Sequence, residues 1–177
     1  MPIICPFIAV FPDPYSATHL THLANSQRAK HGLPVTPIPE RRFHLSVLGL
    51  ACNGAPEDLV PNVSTAAEEA AGPVPPFNVE LNRTGNFGGG RALVVHNPHG
   101  NAELHHFRQR LGMALRDRGV QCSQSGFHPH VTLLYKDRTV PEESIEPVSW
   151  VVNQFALVFS FVGETKYIVL EPWKLRG

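Results

Sequence analysis

Phe127-His128-Pro129-His130-Val131-Thr132-Leu133-Leu134-Tyr135 is the most informative stretch of the sequence, because an earlier stretch repeats its chemistry. The earlier stretch is Phe43-His44-Leu45-Ser46-Val47-Leu48-Gly49-Leu50. In both, a histidine precedes a hydroxyl residue by two positions inside an apolar, β-branched run that is typical of a strand. Side chains at i and i+2 of a strand share one face. Each stretch therefore pairs a proton-transfer group with a neutral hydrogen-bond donor, while the aliphatic residues between them face a core.

The composition is that of a soluble globular protein. The chain has 177 residues, of which 42% are hydrophobic and 17% charged, enough for one domain with a proper core. Its 15 basic and 15 acidic side chains cancel, which argues against a protein that coats a polyanion. A small or terminal phosphate held by a few local groups remains compatible with this balance.

The cysteines and the N-terminus indicate a cytoplasmic location. Cys5, Cys52 and Cys122 are odd in number and form no CxxC pattern, so we expect buried free thiols in a reducing compartment. The apolar run from Ile3 to Phe11 is too short to span a bilayer, and it contains Pro6 and lacks a basic segment before it.

Turn and cap residues divide the chain into alternating strands and helices. Asp13-Pro14 predicts a helix start and Gly32 its end, and Asn101 and Gly119 bound a second helix with Leu104, Phe107, Leu111 and Leu115 on one face. Thr65-x-x-Glu68 predicts a capping box after a loop from Gly54 to Pro61. The predicted strands are residues 3–11, the two motif strands, 77–82, 91–95, 151–161 and 167–170, and the glycine cluster Gly85–Gly90 predicts a hairpin turn rather than a P-loop.

This order contains a repeat. Strand, helix, connector and motif strand occur in residues 3–50 and again in residues 91–136, and His44 and His130 are 86 positions apart. A duplication with a pseudo-twofold axis would place the two motif strands symmetrically about one cleft.

The two motifs resemble the paired HxTx/HxSx motifs of the 2H phosphoesterase superfamily, in particular its LigT-like RNA 2′,3′-cyclic phosphodiesterases, or 2′-5′ RNA ligases. His44-Leu45-Ser46-Val47 and His130-Val131-Thr132-Leu133 carry the resemblance, and the tail from Ser160 to Leu175 extends it. The resemblance implies an α+β, bilobal fold in which two antiparallel sheets flank a central cleft with helices outside. Residues 1–177 would form one domain of two pseudo-symmetric lobes, with motif 1 at 44–47 and motif 2 at 130–133.

The resemblance also implies a reaction and a set of residue roles. It implies hydrolysis of a cyclic phosphate to a monoester without metal or other cofactor, with His130 as base and His44 as acid. Ser46 and Thr132 would bind the phosphate, and Tyr135, where bacterial members often carry arginine, would contact substrate. The partner would be RNA with a 2′,3′-cyclic phosphate end or a small cyclic nucleotide, acted on by a monomer that does not bind membranes.

Several alternatives stay open. Within the same class the chain could perform 2′-5′ ligation or cleavage, and outside it the chain could be an idle RNA-end-binding module. His128 and His130 are spaced as a metal-ligand pair, with His96 or His99 as completions. Tyr135 is out of phase with His130 and Thr132 on an ideal strand, so it reaches a cleft only if a bulge intervenes. Weaker candidates for stacking on a substrate are Phe7, Phe11 and Phe87. The charged residues beside the motifs, which are expected to solvate the strand ends, are Arg41, Arg42 and Lys136.

Overall fold

A computed structural model describes residues 3–51, 54–123, 126–164 and 166–177. A short 3-10 turn at Glu40–Arg42 immediately precedes the first motif strand. In chain order the elements are β1 Ile4–Val10, α1 Pro14–Lys30, β2 Leu45–Gly49, α2 Pro56–Ala71, β3 Phe77–Phe87, β4 Ala92–His96, α3 Ala102–Asp117, β5 His130–Tyr135, β6 Ser144–Val152, β7 Gln154–Phe161, β8 Lys166–Val169 and β9 Trp173–Lys174.

The strands form two antiparallel halves that meet at the motif strands. The strand order is β6-β3-β4-β5-β2-β1-β7-β8, with β9 added to β7. At the junction, β2 and β5 are paired through Leu45 and Val131. Both residues are fully buried, as the alternating pattern requires. The predicted α+β, antiparallel fold is confirmed, but the two predicted sheets are joined into one continuous strand order by the pairing of β2 with β5.

The predicted repeat is present as β1-α1-β2 and β4-α3-β5. Helix α1 crosses from its own repeat to pack against β5 and β6 of the other half. The Ser16 hydroxyl on α1 donates to the carbonyl of Ser149 on β6 at 3.1 Å, and Lys30 and Gln27 both hydrogen-bond the Glu143 carboxylate next to β6. Helix α1 of the first repeat therefore packs on strands of the second half of the chain, so each half of the fold contains elements from both halves of the sequence.

Each motif strand contains one extra residue relative to its neighbour. Register shifts by one between Ile8 and Ala9 against β2, and between Leu93 and Val94 against β5. The extra residues are Val47 and Leu133, and their carbonyls are bonded from outside the ladder. Arg108 Nε donates to the Val47 carbonyl at 3.2 Å, and the Ile38 amide donates to the Leu133 carbonyl at 2.7 Å. Two β-bulges thus occupy equivalent places in the two repeats, with the same spacing as the motif histidines.

Some predicted boundaries are wrong. The second helix begins at Pro56 as α2, so Gly54–Pro61 is not a loop and Thr65 is not its cap; the Thr65 hydroxyl bonds the Pro61 carbonyl inside the helix instead. The small residues at Ala66, Ala67 and Ala70 are buried, and this packing outweighs the cost of Pro61 in the second turn. The predicted strand 151–161 is interrupted at Asn153, with β6 before it and β7 after it.

The two predicted helix caps behave differently. Asp13 caps α1 as predicted, accepting from the Ser16 amide at 2.7 Å. Asn101 precedes α3 with a positive φ of 66° but makes no capping bond. Its side chain instead bonds both backbone groups of Glu80, at 2.8 and 3.0 Å, and so ties α3 to β3.

The structure bears on the expected burial of the cysteines and on the expected lack of a membrane span. Cys5 is a free thiol but is exposed rather than buried, Cys122 is half-buried, and Cys52 lies outside the described residues. In the described part of the chain, no helix has the length and apolar character needed to cross a bilayer.

Candidate active site

A cleft of about 190 Å³ lies where the two motif strands meet. All five residues that the sequence singled out for the site line it: His44, Ser46, His130, Thr132 and Tyr135. The cleft is completed by Ile38, Arg42 and Tyr167. The predicted convergence of the two motifs on one cleft is therefore observed.

Both motif histidines are held by the same bond. His44 Nδ1 lies 2.8 Å from the carbonyl oxygen of Arg42, and His130 Nδ1 lies 2.7 Å from that of His128. A carbonyl oxygen only accepts, so Nδ1 carries the hydrogen in both rings. This bond fixes the ring orientation and leaves Nε2 as the nitrogen that can exchange a proton with a ligand.

Aromatic rings support each imidazole from the side. Phe7 and Tyr167 lie against His44, with centroid distances of 5.1 and 5.5 Å. Phe87 lies against His130 at 4.4 Å, tilted by 34°. Phe7 and Phe87, weighed from the sequence as stacking candidates, thus contact the histidines, whereas Phe11 lines a different surface groove.

Burial lowers the pKa of both imidazoles below the ordinary value of 6.5. The bonds to the Arg42 and His128 carbonyls raise it, but by less than burial lowers it. His130 also lowers the pKa of His44 by charge repulsion, which reflects how close the two rings are. Both rings are therefore mainly neutral at pH 7 in the unliganded protein.

Tyr135 reaches the cleft because of the bulge at Leu133. The extra residue makes Leu133 and Leu134 consecutive buried residues and returns Tyr135 to the face of His130 and Thr132. Burial and the nearby Tyr167 raise the pKa of the Tyr135 phenol, although the residue as a whole is 61% exposed. It is thus a neutral hydroxyl donor at physiological pH.

Arg42 is the cleft residue whose role the sequence interpretation missed. Its guanidinium carbon lies 4.5 Å from the centroid of the Tyr167 ring. Within the described residues it makes no ion pair, and its Nε is buried without a hydrogen-bond partner. The available signal was that Arg42 precedes the motif histidine His44 by two positions. Tyr167, which orients the Arg42 side chain, is 125 positions away in the sequence.

The histidines considered as metal ligands either pack against Phe87 or lie in another groove. Phe87 packs against His96 and His128 as well as His130, at 5.9 and 6.1 Å for the first two. His99 lies in a loop over another groove. Nowhere in residues 3–51, 54–123, 126–164 and 166–177 do three His, Cys, Asp or Glu side chains group as metal ligands.

Comparison with known proteins identifies the family. The sequence model of the 2′-5′ RNA ligase superfamily matches residues 12–161, which include both motifs. The chain belongs to the 2′-5′ RNA ligase superfamily. No curated protein matches the sequence.

Solved structures of this LigT-like, 2H phosphoesterase family share the fold over nearly the whole chain. TT0787 of Thermus thermophilus is 25% identical with a TM-score of 0.80, and the alignment covers 98% of each chain. Escherichia coli LigT complexed with 3′-AMP is 25% identical with a TM-score of 0.74, covering 96% of this chain and 97% of that one. The MHV ns2 PDE domain, at 18% identity and a TM-score of 0.62 over 96% of this chain and 99% of its own, shares the fold alone.

Proposed function

We propose that this chain is a phosphodiesterase that opens 2′,3′-cyclic phosphates with water, using two histidines as acid and base. The observation that carries the proposal is the matched pair of imidazoles. His44 and His130 line one cleft, and each donates through Nδ1 to the carbonyl two residues earlier. Two equivalent proton-transfer groups supplied by two different strands suit an in-line displacement at phosphorus, where one proton is taken and another is given.

The reaction balances with one water. His130 Nε2 takes a proton from water as its oxygen forms a bond to phosphorus. The bond from phosphorus to one ribose oxygen breaks, and protonated His44 gives its Nε2 proton to that oxygen. Each transfer contributes about 10²–10⁴-fold. The assignment of His130 as base and His44 as acid follows the family resemblance, and the reverse reaction, in which a 2′-5′ linkage is cleaved back to the cyclic phosphate, exchanges the two roles.

Three neutral hydroxyls and one cation are available for the phosphate. Ser46 and Thr132 share the faces of their histidines and would donate to the non-bridging oxygens, where charge grows in the transition state. Tyr135 adds a third donor at the cleft mouth. Arg42, which has no protein counter-ion among the described residues, would balance the phosphate charge.

The proposal also includes the domain organisation, the oligomeric state, the ligand and the cellular location. Residues 1–177 act as a single domain of two lobes and as a monomer, on an RNA end or a small cyclic nucleotide, without a metal ion or membrane. The LigT structures complexed with 3′-AMP and with NADP+ support a nucleotide ligand for this cleft. A cytoplasmic setting fits the exposed free thiol of Cys5.

Turnover of 2′,3′-cyclic AMP in the presence of EDTA tests the proposal. We expect hydrolysis to a monoester, identified as 2′ or 3′ by phosphorus NMR, and a loss of at least about 10²-fold in both His44→Ala and His130→Ala. His22→Ala, an exposed histidine on α1, is the matched control and should retain wild-type turnover. Full activity in either motif variant contradicts the two-histidine mechanism.

Two other outcomes would redirect the assignment. Saturable binding of the nucleotide with no turnover identifies an RNA-end-binding module. Loss of activity with EDTA, restored by a divalent ion, identifies a metal-dependent hydrolase.

The family match supports a second candidate within the same class, namely cleavage or formation of a 2′-5′ linkage. The same two imidazoles would serve, because ligation opens a cyclic phosphate with a ribose hydroxyl in place of water, and cleavage of the 2′-5′ linkage is the reverse of that step. A 2′-5′-linked dinucleotide, compared with its 3′-5′ isomer and with 2′,3′-cyclic AMP, separates the candidates by the ratio of kcat/KM values.

A further inference from the structure

Lys136 is a buried lysine next to the cleft. It directly follows Tyr135, yet it is only 6% exposed. Its ammonium donates to three oxygens: Asn86 Oδ1 at 2.7 Å, the Gly90 carbonyl at 2.7 Å and the Arg138 carbonyl at 2.8 Å. All three are neutral, and Lys136 makes no ion pair within the described residues. A buried ammonium that is bonded only to neutral acceptors adds little stability, because its desolvation is costly. The segments that its three hydrogen bonds hold together are therefore the point of interest.

These bonds connect two segments. Asn86 lies near the end of β3 and Gly90 in the turn that follows it, and Arg138 belongs to the chain that leaves β5. Asn86 strengthens the connection, because its side chain donates to the Val140 carbonyl at 2.9 Å and accepts from the Val140 amide at 3.1 Å. A Cβ on Gly90 would lie 2.7 Å from Thr139 Cγ2, so the two segments are in close contact there.

Phe87 is the last residue of β3 and lies between Asn86 and Gly90, the two residues of the β3–β4 hairpin that Lys136 holds. Its ring is the one that lies 4.4 Å from the His130 imidazole. Phe87 pairs with Ala92 across β3 and β4, and Ala92 pairs with Tyr135 across β4 and β5. The turn therefore determines where Phe87 stands relative to His130 and Tyr135 of β5.

We propose that Lys136 is a positioning residue for His130, acting through the β3–β4 turn and Phe87. The ammonium draws the turn onto the segment after β5, and this keeps the Phe87 ring against the imidazole. The ring excludes water from that side of His130 and supplements the Nδ1 bond to the His128 carbonyl. For catalysis this inference rests on the proposed role of His130, but the geometry it describes does not require activity.

The alternative is that Lys136 only stabilises the fold. Both versions predict a lower melting temperature when the ammonium is removed. A purely stabilising role predicts no change in the titration of one particular histidine. Loss of the ammonium charge alone would also raise the His130 pKa, but it would add to the effect of Phe87→Leu, whereas the positioning role would not. The other charged and titratable groups near His130 are His44 across the cleft, His96, His128 and, through His96, Arg83 and Glu142, and all of these are unchanged in the variants below.

The test is an NMR titration of the histidine ring protons of the full chain without ligand. The His130 resonance is assigned from its absence in His130→Asn. In Lys136→Met, which keeps the length of the side chain and removes the charge, we expect the His130 pKa to rise toward its ordinary value while that of His44 stays. Lys174→Met, an exposed lysine on β9, is the matched control and should shift neither.

Phe87→Leu tests the same path without touching the lysine. It should raise the His130 pKa in the same direction, and Lys136→Met/Phe87→Leu should give no further shift. If Lys136→Met does not fold, Asn86→Ala removes one of the three acceptors and should give a smaller shift of the same sign. A lower melting temperature with unchanged His130 titration in the folded variants overturns the proposal.

Kinetics supply a separate measurement. In Lys136→Met we expect kcat on 2′,3′-cyclic AMP to fall about 10- to 100-fold with KM within about twofold, because the residue touches no substrate. If the wild-type chain has no turnover, the proposed function fails, whereas the titration still decides the positioning role. A 10- to 100-fold rise in KM at constant kcat in Lys136→Met would contradict the positioning role.

Discussion

The guanidinium carbon of Arg42 lies 4.5 Å from the centroid of the Tyr167 ring, inside the cleft that holds both motif histidines. An arginine placed over an aromatic ring can still offer N–H groups to an anion. The same residue offers its carbonyl to His44 Nδ1 at 2.8 Å. Arg42 therefore orients the proposed acid with its backbone and presents a positive charge with its side chain.

Replacing Arg42 by methionine should weaken substrate binding. We expect KM for 2′,3′-cyclic AMP to rise about 10- to 100-fold, because a charge-assisted contact to the phosphate is lost while the backbone carbonyl remains. The dependence of kcat/KM on ionic strength should become shallower. Arg41→Met, at the exposed neighbouring position, is the control and should change neither quantity. An unchanged KM in the Arg42 variant would exclude it from phosphate binding.

The rate should depend on pH with its maximum in kcat/KM below pH 6.5. Burial lowers the pKa of both His44 and His130 from that value. Activity rises as pH passes upward through the pKa of the base, which must be neutral, and falls through the pKa of the acid, which must be protonated. A bound phosphate anion raises both pKa values, so the maximum of kcat should lie at higher pH than that of kcat/KM. Identical profiles, or a maximum of kcat/KM at alkaline pH, would contradict this.

Removing either cleft hydroxyl should reduce activity without abolishing it. For Ser46→Ala and Thr132→Val we expect kcat to fall about 10- to 1,000-fold, since each removes one donor to the developing negative charge. Ser26→Ala, on the exposed face of α1, serves as control. Steady-state kinetics on 2′,3′-cyclic AMP give the measurement, and a wild-type kcat in both variants would show that neither hydroxyl contacts the phosphate.

Glu143 should contribute a pH-dependent part of the stability. Hydrogen bonds from Lys30 and then Gln27 lower the pKa of its carboxyl below 4.5, while partial burial opposes them. Because the folded-state pKa is depressed, the contribution is complete above the unfolded-state pKa and is lost as pH falls through the folded-state value. Glu143→Gln should thus lower the free energy of unfolding at pH 7 by less than about 1 kcal/mol, given how exposed the pair is. Urea unfolding at pH 7 and pH 3 measures this, and an equal loss at both would exclude the carboxylate charge as the cause.

The part of the site that the sequence predicted follows from strand periodicity. His44 and Ser46, like His130 and Thr132, share a face because alternate side chains do, and the residues between them are buried as that pattern requires. The family motif then placed both pairs on one cleft. These inferences need only local geometry and the repeat.

What the sequence did not predict depends on contacts between distant segments. The bulge that turns Tyr135 into the cleft exists because the Ile38 amide takes up the Leu133 carbonyl, and the two residues are 95 positions apart. Arg42 is turned inward by Tyr167, on a strand near the other end of the chain. The start of α2 at Pro56 was missed although the local pattern there favours a helix start, with Pro56 at the beginning of the helix and Glu57 and Asp58 in its first turn.

The crossing of α1 has a consequence for how such a molecule can be divided. The helix that follows β1 covers strands β5 and β6, which come about a hundred residues later. A polypeptide cut between the repeats would leave one fragment with an uncovered helix and the other with an uncovered sheet. A half-length ancestor with this arrangement would close its core only as a swapped pair, and fusion of the two genes would preserve that exchange inside one chain.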